Sequence, residues 1–408
     1  MKIEVLYSKK NEKILKVDDV YLNSLYDAKR EAKILIDGYK ELLSDNVIHV
    51  IGFGMGYHII ELLNRIKDNQ LIKVYDTNEN IYKQIKNEKQ IINIISKNNV
   101  KIYNRNNLKE FCETLNLSSD IIINKPLVKV CSDKDIERLI DNYVISKFGI
   151  NKFKDIMMNN EIINSNIQCK NICDFFAIDS NKTKLIVSSG PSLDLLINDI
   201  KKYRDNYDIY VVGSALSTLI KNNITPNAIV IIDSQDIVAN QFNGYNNLKI
   251  PLLFLSTASK EAVGNYKGPK YIFYNKHNET NIVINTGKTV AVATIDIAIK
   301  NNSKKIILIG QDLAYLNNKT HSNGIREKYG GNNKALISSN SKTVKGRNGE
   351  LLYTNRGYIL FKDNIEKLIR DNNRVKFYNC SLGAKIEGAE FTTMEKLFNK
   401  EKQDDKVL

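Results

Sequence analysis

The chain of 408 residues has few side chains that could form disulfides or hold a metal ion. Its five cysteines are scattered and odd in number, and no two of them have the C-x-x-C spacing of a zinc site. Its four histidines form no cluster with cysteine. We therefore expect reduced cysteines that mostly pack in the interior, and no metal site.

Long apolar runs are also missing. No segment approaches the roughly 20 uninterrupted apolar residues of a transmembrane helix. The charged start M-K-I-E-V-L-Y-S-K-K does not resemble a signal peptide. The sequence therefore predicts a cytoplasmic protein with no membrane partner.

The net charge of +14 points to no particular partner. The lysines are spread evenly, without a basic arm or an RNA-binding motif interleaved with aromatic residues. We therefore expect no nucleic-acid partner, while an anionic nucleotide substrate is compatible with the charge. A homo-oligomer is an open alternative.

Strands and helices alternate along the chain in two series, which predicts an α/β fold of two doubly wound, Rossmann-like units. We expect an N-terminal Rossmann-like domain at 1–130, a helical connection at 131–175 and a second α/β domain at 176–408. In the first domain, one helix is predicted over Tyr82–Lys97. In the second, the polar stretch Asn317–Arg347 is too long for a simple connection and predicts a partly mobile active-site loop.

The segment Leu185–Asp194 carries the clearest functional signal. Three apolar residues end a strand, a turn follows, and a helix with apolar periodicity begins at Leu193. Such a turn directs free N–H groups at one point, where a phosphate is stabilised. The spacing matches neither a P-loop nor a dinucleotide fingerprint, so an ordinary β-to-α turn is the alternative. The turn consists of Ser188, Ser189, Gly190, Pro191 and Ser192.

Other strands of the second unit also end in small or polar residues. Ligands of open α/β sheets bind at the carboxyl ends of the strands, so these residues are candidates for a nucleotide site. Polar loops are common in α/β proteins, but several that converge on one edge favour a shared site. The candidates are Gly213, Ser214, Asp233, Ser256, Thr257, Gln311 and Asp312.

A second glycine turn lies in the first unit. Gly52, Gly54 and Gly56 follow a strand and begin a helix, and Asp76 ends the next strand. This arrangement resembles the nucleotide turn of methyltransferase-like folds, in which the acid contacts ribose hydroxyls. A purely structural turn is the alternative, because Tyr57 stands where the fingerprint requires a small residue.

The segment Lys305–Gly324, which contains G-Q-D-L-A-Y and K-T-H-S-N-G, resembles the signature of the motility accessory factor glycosyltransferases. The family's G-P-S-L turn is matched by Gly190–Leu193, and its strand that ends in aspartate by Asp233. A glycine turn is matched at Thr286–Thr289, which adds Thr286 and Gly287 to the candidates. A C-terminal segment of the family is similar to Gly383–Ala389. Parts of this pattern are also similar to bacterial CMP-dependent sialyltransferases, and G-P-S-L recurs in a hydroxymethylpterin diphosphokinase family.

This resemblance implies a fold and a function. The second unit would be a sialyltransferase-like catalytic domain, a variant of the GT-A fold, with an acceptor-binding C-terminal region. The enzyme would move a nonulosonic (sialic-like) acid from its CMP donor to Ser or Thr of flagellin, with no further cofactor. N–H and O–H donors of Gly190, Ser192, Ser214 and Tyr315 would stabilise the leaving phosphate. The second unit has no D-x-D carboxylate pair of the metal-binding type, in agreement with a metal-independent reaction.

Three residues are candidates for acid–base chemistry. His321 is the first, because its ordinary pKa lies near neutrality. Asp233 and Asp312 are rivals for activation of the acceptor hydroxyl, and Asp312 could instead be a buried carboxylate that holds its own loop.

Two positions depart from the families' patterns. Ser189 stands where the sialyltransferase turn usually has asparagine, and Leu382 replaces a glycine.

Two alternative functions stay open. One is a diphosphokinase-type, phosphate-handling enzyme, which would need ATP and Mg²⁺. The other is a non-catalytic nucleotide sensor that binds flagellin.

Overall fold

The protein contains two compact units, Met1–Asp141 and Asn142–Leu408. The division falls inside a long helix, Lys134–Ser165, which occupies most of the predicted helical connection. Both units contain a parallel sheet with helices, so the predicted α/β fold class is confirmed. The computed structural model describes residues 1–113, 120–179, 182–277, 282–324, 334–338 and 341–404.

Within its described residues, the first unit contains seven strands and six α-helices before the long helix. The strands are β1 (Ile3–Tyr7), β2 (Lys13–Val17), β3 (Val20–Tyr21), β4 (Val47–Ile51), β5 (Leu71–Tyr75), β6 (Val100–Tyr103) and β7 (Ile122–Ile123). The helices are α1 (Ala28–Asp37), α2 (Tyr57–Leu63), α3 (Glu79–Ile85), α4 (Lys89–Ile95), α5 (Leu108–Glu113) and α6 (Lys125–Lys129), and the long helix is α7.

The strands of the first unit form two sheets. Strands β4 to β7 form a parallel sheet in the order β6-β5-β4-β7, so the chain moves away from β4 in both directions. This order corresponds to the first four strands of the doubly wound order 3-2-1-4-5-6. Strands β1 to β3 form a separate antiparallel sheet.

The single helix predicted over Tyr82–Lys97 is wrong. The chain forms two helices, α3 and α4, because Glu88 is extended (φ −66°, ψ 133°) and begins a new helix. This break lets Ile91 and Ile94 of α4 enter the core. The apolar spacing alone does not distinguish one helix from two short helices that bury the same face.

The second unit contains eleven strands and seven further helices within its described residues. The strands are β8 (Lys170–Asn171), β9 (Lys184–Val187), β10 (Asp208–Val212), β11 (Ala228–Ile231), β12 (Leu252–Leu255), β13 (Lys270–Phe273), β14 (Lys305–Ile309), β15 (Lys342–Lys345), β16 (Leu351–Thr354), β17 (Lys376–Asn379) and β18 (Glu390–Phe391). The helices are α8 (Ile172–Phe176), α9 (Leu193–Lys202), α10 (Leu216–Lys221), α11 (Lys260–Asn265), α12 (Val290–Lys300), α13 (Arg356–Asp371) and α14 (Met394–Asp404).

Nine of these strands form one parallel sheet in the order β18-β17-β14-β9-β10-β11-β12-β13-β8. From β9 the chain proceeds outward through β10 to β13 and then returns to β14 on the other side of β9. The direction of winding therefore changes between β9 and β14. In open α/β sheets, ligands bind in the crevice outside the carboxyl ends of the strands at such a point.

The central strands are apolar on both faces. Every residue of β10, β11 and β12 is buried, as expected for a parallel sheet covered by helices.

The predicted loop Asn317–Arg347 contains strand β15, and residues 325–333 and 339–340 of this loop lie outside the described residues. In the part of the chain that the structure describes, no helix is long and apolar enough to cross a membrane.

A buried group of charges lies at the amino end of the second sheet. Lys184, the first residue of β9, places its Nζ 2.6 Å from Asp179 Oδ2 and 2.7 Å from Asp208 Oδ2. Tyr210 and Asn301 also donate to Asp179. Because all three charges are buried, removal of Lys184 would take from both carboxylates the cation that they share.

We predict that Lys184→Ala destabilises the second unit strongly. Two buried carboxylates would lose their cation, which costs about 3–5 kcal/mol in comparable sites. Unfolding in urea measures this loss, with the exposed Lys201→Ala as the matched control, for which we expect a change within about 0.5 kcal/mol. A loss below about 1 kcal/mol for Lys184→Ala would show that the charges do not depend on one another.

Candidate functional site

The turns that follow β9 and β14 are joined at the point where the winding of the sheet changes. Backbone N–H groups of Ser188 and Gly190 donate to Ile309 and Gly310 C=O, each at 2.8 Å. The Ser188 hydroxyl donates to Gln311 Oε1 at 2.7 Å. The sequence placed these two turns at one edge, and the structure brings them into direct contact.

Asp312 is the central side chain of this contact. Its side chain is buried, with 1 % of the residue's surface exposed. Its Oδ2 accepts the Ser192 N–H (2.8 Å) at the first turn of α9, and its Oδ1 accepts the Leu382 N–H (3.2 Å). Burial raises the pKa of this carboxyl, and the N–H donors oppose that shift. Of the two roles considered for Asp312, the structure favours the buried carboxylate that holds its loop.

This arrangement corrects the role predicted for Ser192. The sequence predicts a phosphate at the first turn of α9, but the Asp312 carboxylate already binds the Ser192 N–H there. Ser192 and Pro191 are buried, so the Ser192 hydroxyl is not presented to the surface. The first turn of α9 therefore stabilises an anion of the protein itself.

Two glycines are required where these turns meet. A Cβ on Gly190 would lie less than 3.0 Å from both Asp312 Oδ2 and Gly310 O. Gly310 has φ +65°, and a Cβ there would clash with Ser188 O. The glycines of the G-P-S-L and G-Q-D motifs therefore allow close packing of the two turns.

The turn after β10 contributes the accessible hydroxyl. Ser214 is half-buried, and its Oγ donates to Ser189 Oγ at 2.9 Å. Ser214 belongs to a 3-10 helical turn, Gly213–Ala215, whose first N–H groups have no partner within the helix. A Cβ on Gly213 would clash with Gln241 Oε1. Ser189 and Ser214 together form a pair of hydroxyls at the carboxyl edge of β9 and β10.

The segment that carries His321 lies against this pair of hydroxyls. The Ser322 N–H donates to Ser189 C=O at 2.8 Å. The Asn323 N–H donates to the Asp194 carboxylate at 3.0 Å. His321, more than 130 residues beyond Ser189 in the sequence, is therefore held one residue away from a hydrogen bond to it.

Tyr358 and Thr320 fix the position of His321. Thr320 Oγ1 lies 3.0 Å from His321 Nδ1, and the Tyr358 hydroxyl donates to Thr320 C=O at 2.9 Å. The ring of Tyr358 meets that of His321 edge-on, with centroids 6.2 Å apart, and lies 6.0 Å from the ring of Tyr315. Asn355 Nδ2 donates to the Tyr315 hydroxyl at 3.1 Å. Burial lowers the pKa of His321, so its imidazole is neutral near pH 7.

The sequence did not indicate Tyr358. It lies in the amphipathic helix α13, where an aromatic residue at this spacing is typical of the core. The nearby Asn355 could have pointed to it, because Asn355 caps α13 by accepting the Tyr358 N–H and also contacts the candidate Tyr315.

The remaining candidates have other partners. Asp233 is exposed, and its carboxylate accepts the Gln235 N–H at 3.0 Å. The Ser256 hydroxyl is buried and donates to Glu161 Oε1 at 3.1 Å, and Thr257 is also buried. Asp233, Ser256 and Thr257 follow β11 and β12 as predicted. Their hydrogen bonds do not join them to the Ser189–Ser214 pair.

Thr286 and Gly287 lie in the turn before α12. Gly287 has φ +47°, and its C=O accepts Asn364 Nδ2 at 2.8 Å. This bond attaches the turn to α13, the helix that also carries Tyr358.

Two buried asparagines of α7 were missed by the sequence reasoning. Asn160 and Asn164 each donate through Nδ2 to two backbone carbonyls that follow β11 and β12, at 2.8–3.3 Å. They hold the ends of these strands in place. The accepting residues are Ser234, Thr257, Ser256 and Ala258.

The glycine turn of the first unit is filled by the protein itself. Gly52, Gly54 and Gly56 all have positive φ (+97°, +50° and +71°). A Cβ on Gly52 or Gly54 would lie 2.8 or 2.9 Å from side-chain atoms of Leu127 in α6. Thr77 Oγ1 donates to Leu127 C=O at 3.0 Å and holds α6 over the turn. The structure therefore supports the alternative of a structural turn over a nucleotide turn.

Asp76 directly follows β5. It lines a polar cleft of about 430 Å³ together with Arg105 and Asp133. Burial raises the pKa of Asp76 to about 6. Arg105 pairs with Asp133 at 2.8 Å. Among the residues that the structure describes in both units, no group of three or more His, Cys, Asp or Glu side chains is placed to hold a metal ion.

Comparisons with known proteins agree with this fold. The chain aligns with the structure of the Maf glycosyltransferase from Magnetospirillum magneticum AMB-1 at a TM-score of 0.54 and 14 % sequence identity, over 97 % of this chain and 71 % of that chain. The chain therefore shares the Rossmann-like fold of this glycosyltransferase structure. A family model, 6-hydroxymethylpterin diphosphokinase MptE-like, matches residues 157–318. No curated protein sequence matches the chain.

We predict that Gly190→Ala disrupts the joined turns. The new methyl group would clash with Asp312 and Gly310, so we expect a fall in melting temperature of at least several degrees. Gly264→Ala in α11 is the matched control, because a Cβ there meets nothing within 4 Å and alanine favours helix. Equal melting temperatures for the two variants would contradict the close packing of these turns.

Proposed function

We propose that this protein is a glycosyltransferase that moves a nonulosonic acid from a CMP donor to Ser or Thr hydroxyls of flagellin. One observation carries the proposal: His321 is held by the Ser322–Ser189 hydrogen bond beside a pair of hydroxyls at the change of winding. The fold shared with a Maf glycosyltransferase supports the same function.

The Ser189–Ser214 pair would receive the phosphate of the donor. As the bond between the sugar carbon and the phosphate oxygen breaks, negative charge grows on CMP, and positioned O–H and N–H donors stabilise it. Ser189 and Ser214 supply hydroxyls, and the turn at Gly213 supplies N–H groups. Tyr315 would add a third hydroxyl. Ser188, Gly190 and Gln311, which were also predicted to bind the donor, hold the turn after β9 against the loop after β14.

His321 would accept the proton of the acceptor hydroxyl. When Nδ1–H donates to Thr320 Oγ1, Nε2 is the basic atom. The acceptor oxygen then bonds to the sugar carbon, its proton passes to His321, and CMP leaves with the electron pair of the broken bond. Asp233, exposed at the end of β11, is the alternative base.

The family-model match favours a second candidate function. The 6-hydroxymethylpterin diphosphokinase MptE-like model covers β9 to β14 and their turns, which contain the G-P-S-L motif. An enzyme of this kind would transfer a diphosphate from ATP with Mg²⁺ to a hydroxyl. The same turns could bind that phosphate chain, so nucleotide preference separates the two functions.

We predict that CMP raises the melting temperature of the protein and that ATP with Mg²⁺ does not. A ligand that binds only the folded state raises its stability, by about 2.7 kcal/mol at 100 times its Kd. Ser214→Ala should reduce the CMP shift, while Ser165→Ala, at the exposed end of α7, should not. Stabilisation by ATP with Mg²⁺ alone would favour the diphosphokinase.

We predict that flagellin co-expressed with this protein and the donor pathway gains the mass of a nonulosonic acid, and that His321→Ala abolishes the gain. Tyr358→Phe keeps the ring but removes the bond to Thr320, so we expect partial loss, whereas Tyr7→Phe, at an exposed tyrosine of the first unit, should have no effect. Because burial lowers the pKa of His321, the neutral base persists as pH falls through 6.5, and the rate should fall only below that value. An unchanged mass gain in His321→Ala would remove this residue from the mechanism.

A further inference from the structure

The two-stranded sheet of β15 and β16 is attached to the candidate site. The Tyr315 N–H donates to Tyr353 C=O, and Thr354 Oγ1 donates to Leu313 C=O, both at 2.8 Å. Leu313 and Tyr315 directly follow Asp312 in the loop after β14. Strand β16 is therefore hydrogen-bonded to the loop after β14, which carries site residues.

The other strand is attached to the C-terminal segment. The Lys385 N–H donates to Lys345 C=O at 2.9 Å, and Gly346 pairs with Ala384. The Ala384 N–H in turn donates to Asp312 C=O at 2.7 Å. Both edges of the hairpin are thus held by segments that meet at Asp312, which fixes its orientation beside the site.

The two faces of this hairpin differ. Val344 and Leu352 pack against the core, while Leu351 (70 % exposed) and Tyr353 (46 % exposed) lie on the opposite face. In the register of the hairpin, Lys345 is opposite Leu351, and Thr343 is opposite Tyr353. We call this outward side the hairpin face. Its residues are Thr343, Lys345, Leu351 and Tyr353.

The composition of the hairpin face is typical of a recognition surface. Single exposed apolar residues are ordinary, but Leu351 and Tyr353 lie two residues apart on the same face of β16 and together form an apolar area. Tyrosine and arginine are enriched in protein interfaces. At the end of the hairpin, the Arg347 guanidinium lies 4.7 Å from the ring centre of the half-exposed Phe391.

The charge around this face is positive. Lys345 is exposed, and Arg347 adds a second cation at the turn. Lys385 pairs with Glu387 at 3.0 Å, and Glu350 accepts the Asn348 N–H at 2.8 Å within the turn. Within the hairpin, Lys342, Lys345 and Arg347 outnumber Glu350, and this positive excess complements a partner with acidic side chains.

We propose that the hairpin face docks the polypeptide acceptor, as a segment with apolar side chains over Leu351 and Tyr353 and an acidic side chain near Lys345 and Arg347. This proposal rests on the proposed function, because a protein acceptor must lie across the surface around His321. The Tyr315–Tyr353 bond connects the face to the aromatic rings around His321. The face thereby supplies affinity for flagellin without contacting the donor.

The test measures binding of purified flagellin from the same organism to the full-length protein, by biolayer interferometry, beside its modification by intact mass. We expect Leu351→Asp and Lys345→Glu each to weaken flagellin binding at least about tenfold. Lys345→Arg keeps the charge and should bind as the wild type does. Ile92→Asp replaces an exposed isoleucine of α4 in the first unit and is the matched control.

The melting-temperature shift with CMP separates the two proposals. A normal CMP shift in Leu351→Asp and Lys345→Glu, with lost flagellin binding, supports docking at the hairpin face. Flagellin binding within twofold of the wild type in both variants overturns it, as does self-association of the protein that Leu351→Asp abolishes while flagellin does not bind. A wild-type protein without a CMP shift contradicts the proposed function, and the flagellin affinities still decide the docking surface.

Discussion

The Asp312 carboxylate is the interaction on which the candidate site depends. It accepts N–H groups from the first turn of α9 and from Leu382, while its own C=O accepts the Ala384 N–H. Three segments that are far apart in sequence are thereby joined at the point where the winding of the sheet changes. A buried carboxylate is costly unless its oxygens are satisfied, so each N–H donor contributes to keeping the others in place.

This use of Asp312 bears on where the proposed anion site lies. The first turn of α9 binds a carboxylate of the protein, so the proposed phosphate site lies between the turns after β9 and β10, at Ser189 and Ser214. The His321 segment is attached to the same Ser189. The proposed donor site and the proposed base therefore share one hydrogen-bonded residue, which would couple donor binding to the position of His321.

Much of the fold could be predicted because strand ends are visible in the sequence. The apolar runs before Ser188, Gly213 and Gln311 predict buried parallel strands, and parallel strands bring their carboxyl ends to one edge. Their burial leaves little freedom for any other arrangement. The fold class follows from this alternation alone.

The details of the site could not be predicted, because they depend on tertiary contacts without a local pattern. Tyr358 reads as a core residue of an amphipathic helix, and only the fold places its hydroxyl on Thr320. Asn160 likewise has the sequence pattern of a surface residue, but it is buried against strand ends 74 and 97 residues away. The glycine turn at Gly52–Gly56 shows the reverse case. Its motif is typical of a ligand site, but the side chain of Leu127 packs against it. In each case the deciding partner is distant in sequence.

The most direct test of the Ser189–Ser214 site is hydrogen–deuterium exchange of the backbone with and without CMP. An amide hydrogen exchanges more slowly when the amide gains a hydrogen bond or is shielded from solvent. Slower exchange at Gly213–Leu216 and Lys319–Gly324, with no change at Gly52–Gly56, is the result we predict. Protection confined to the first unit, or no change anywhere, would contradict a CMP site at the carboxyl edge of β9 and β10.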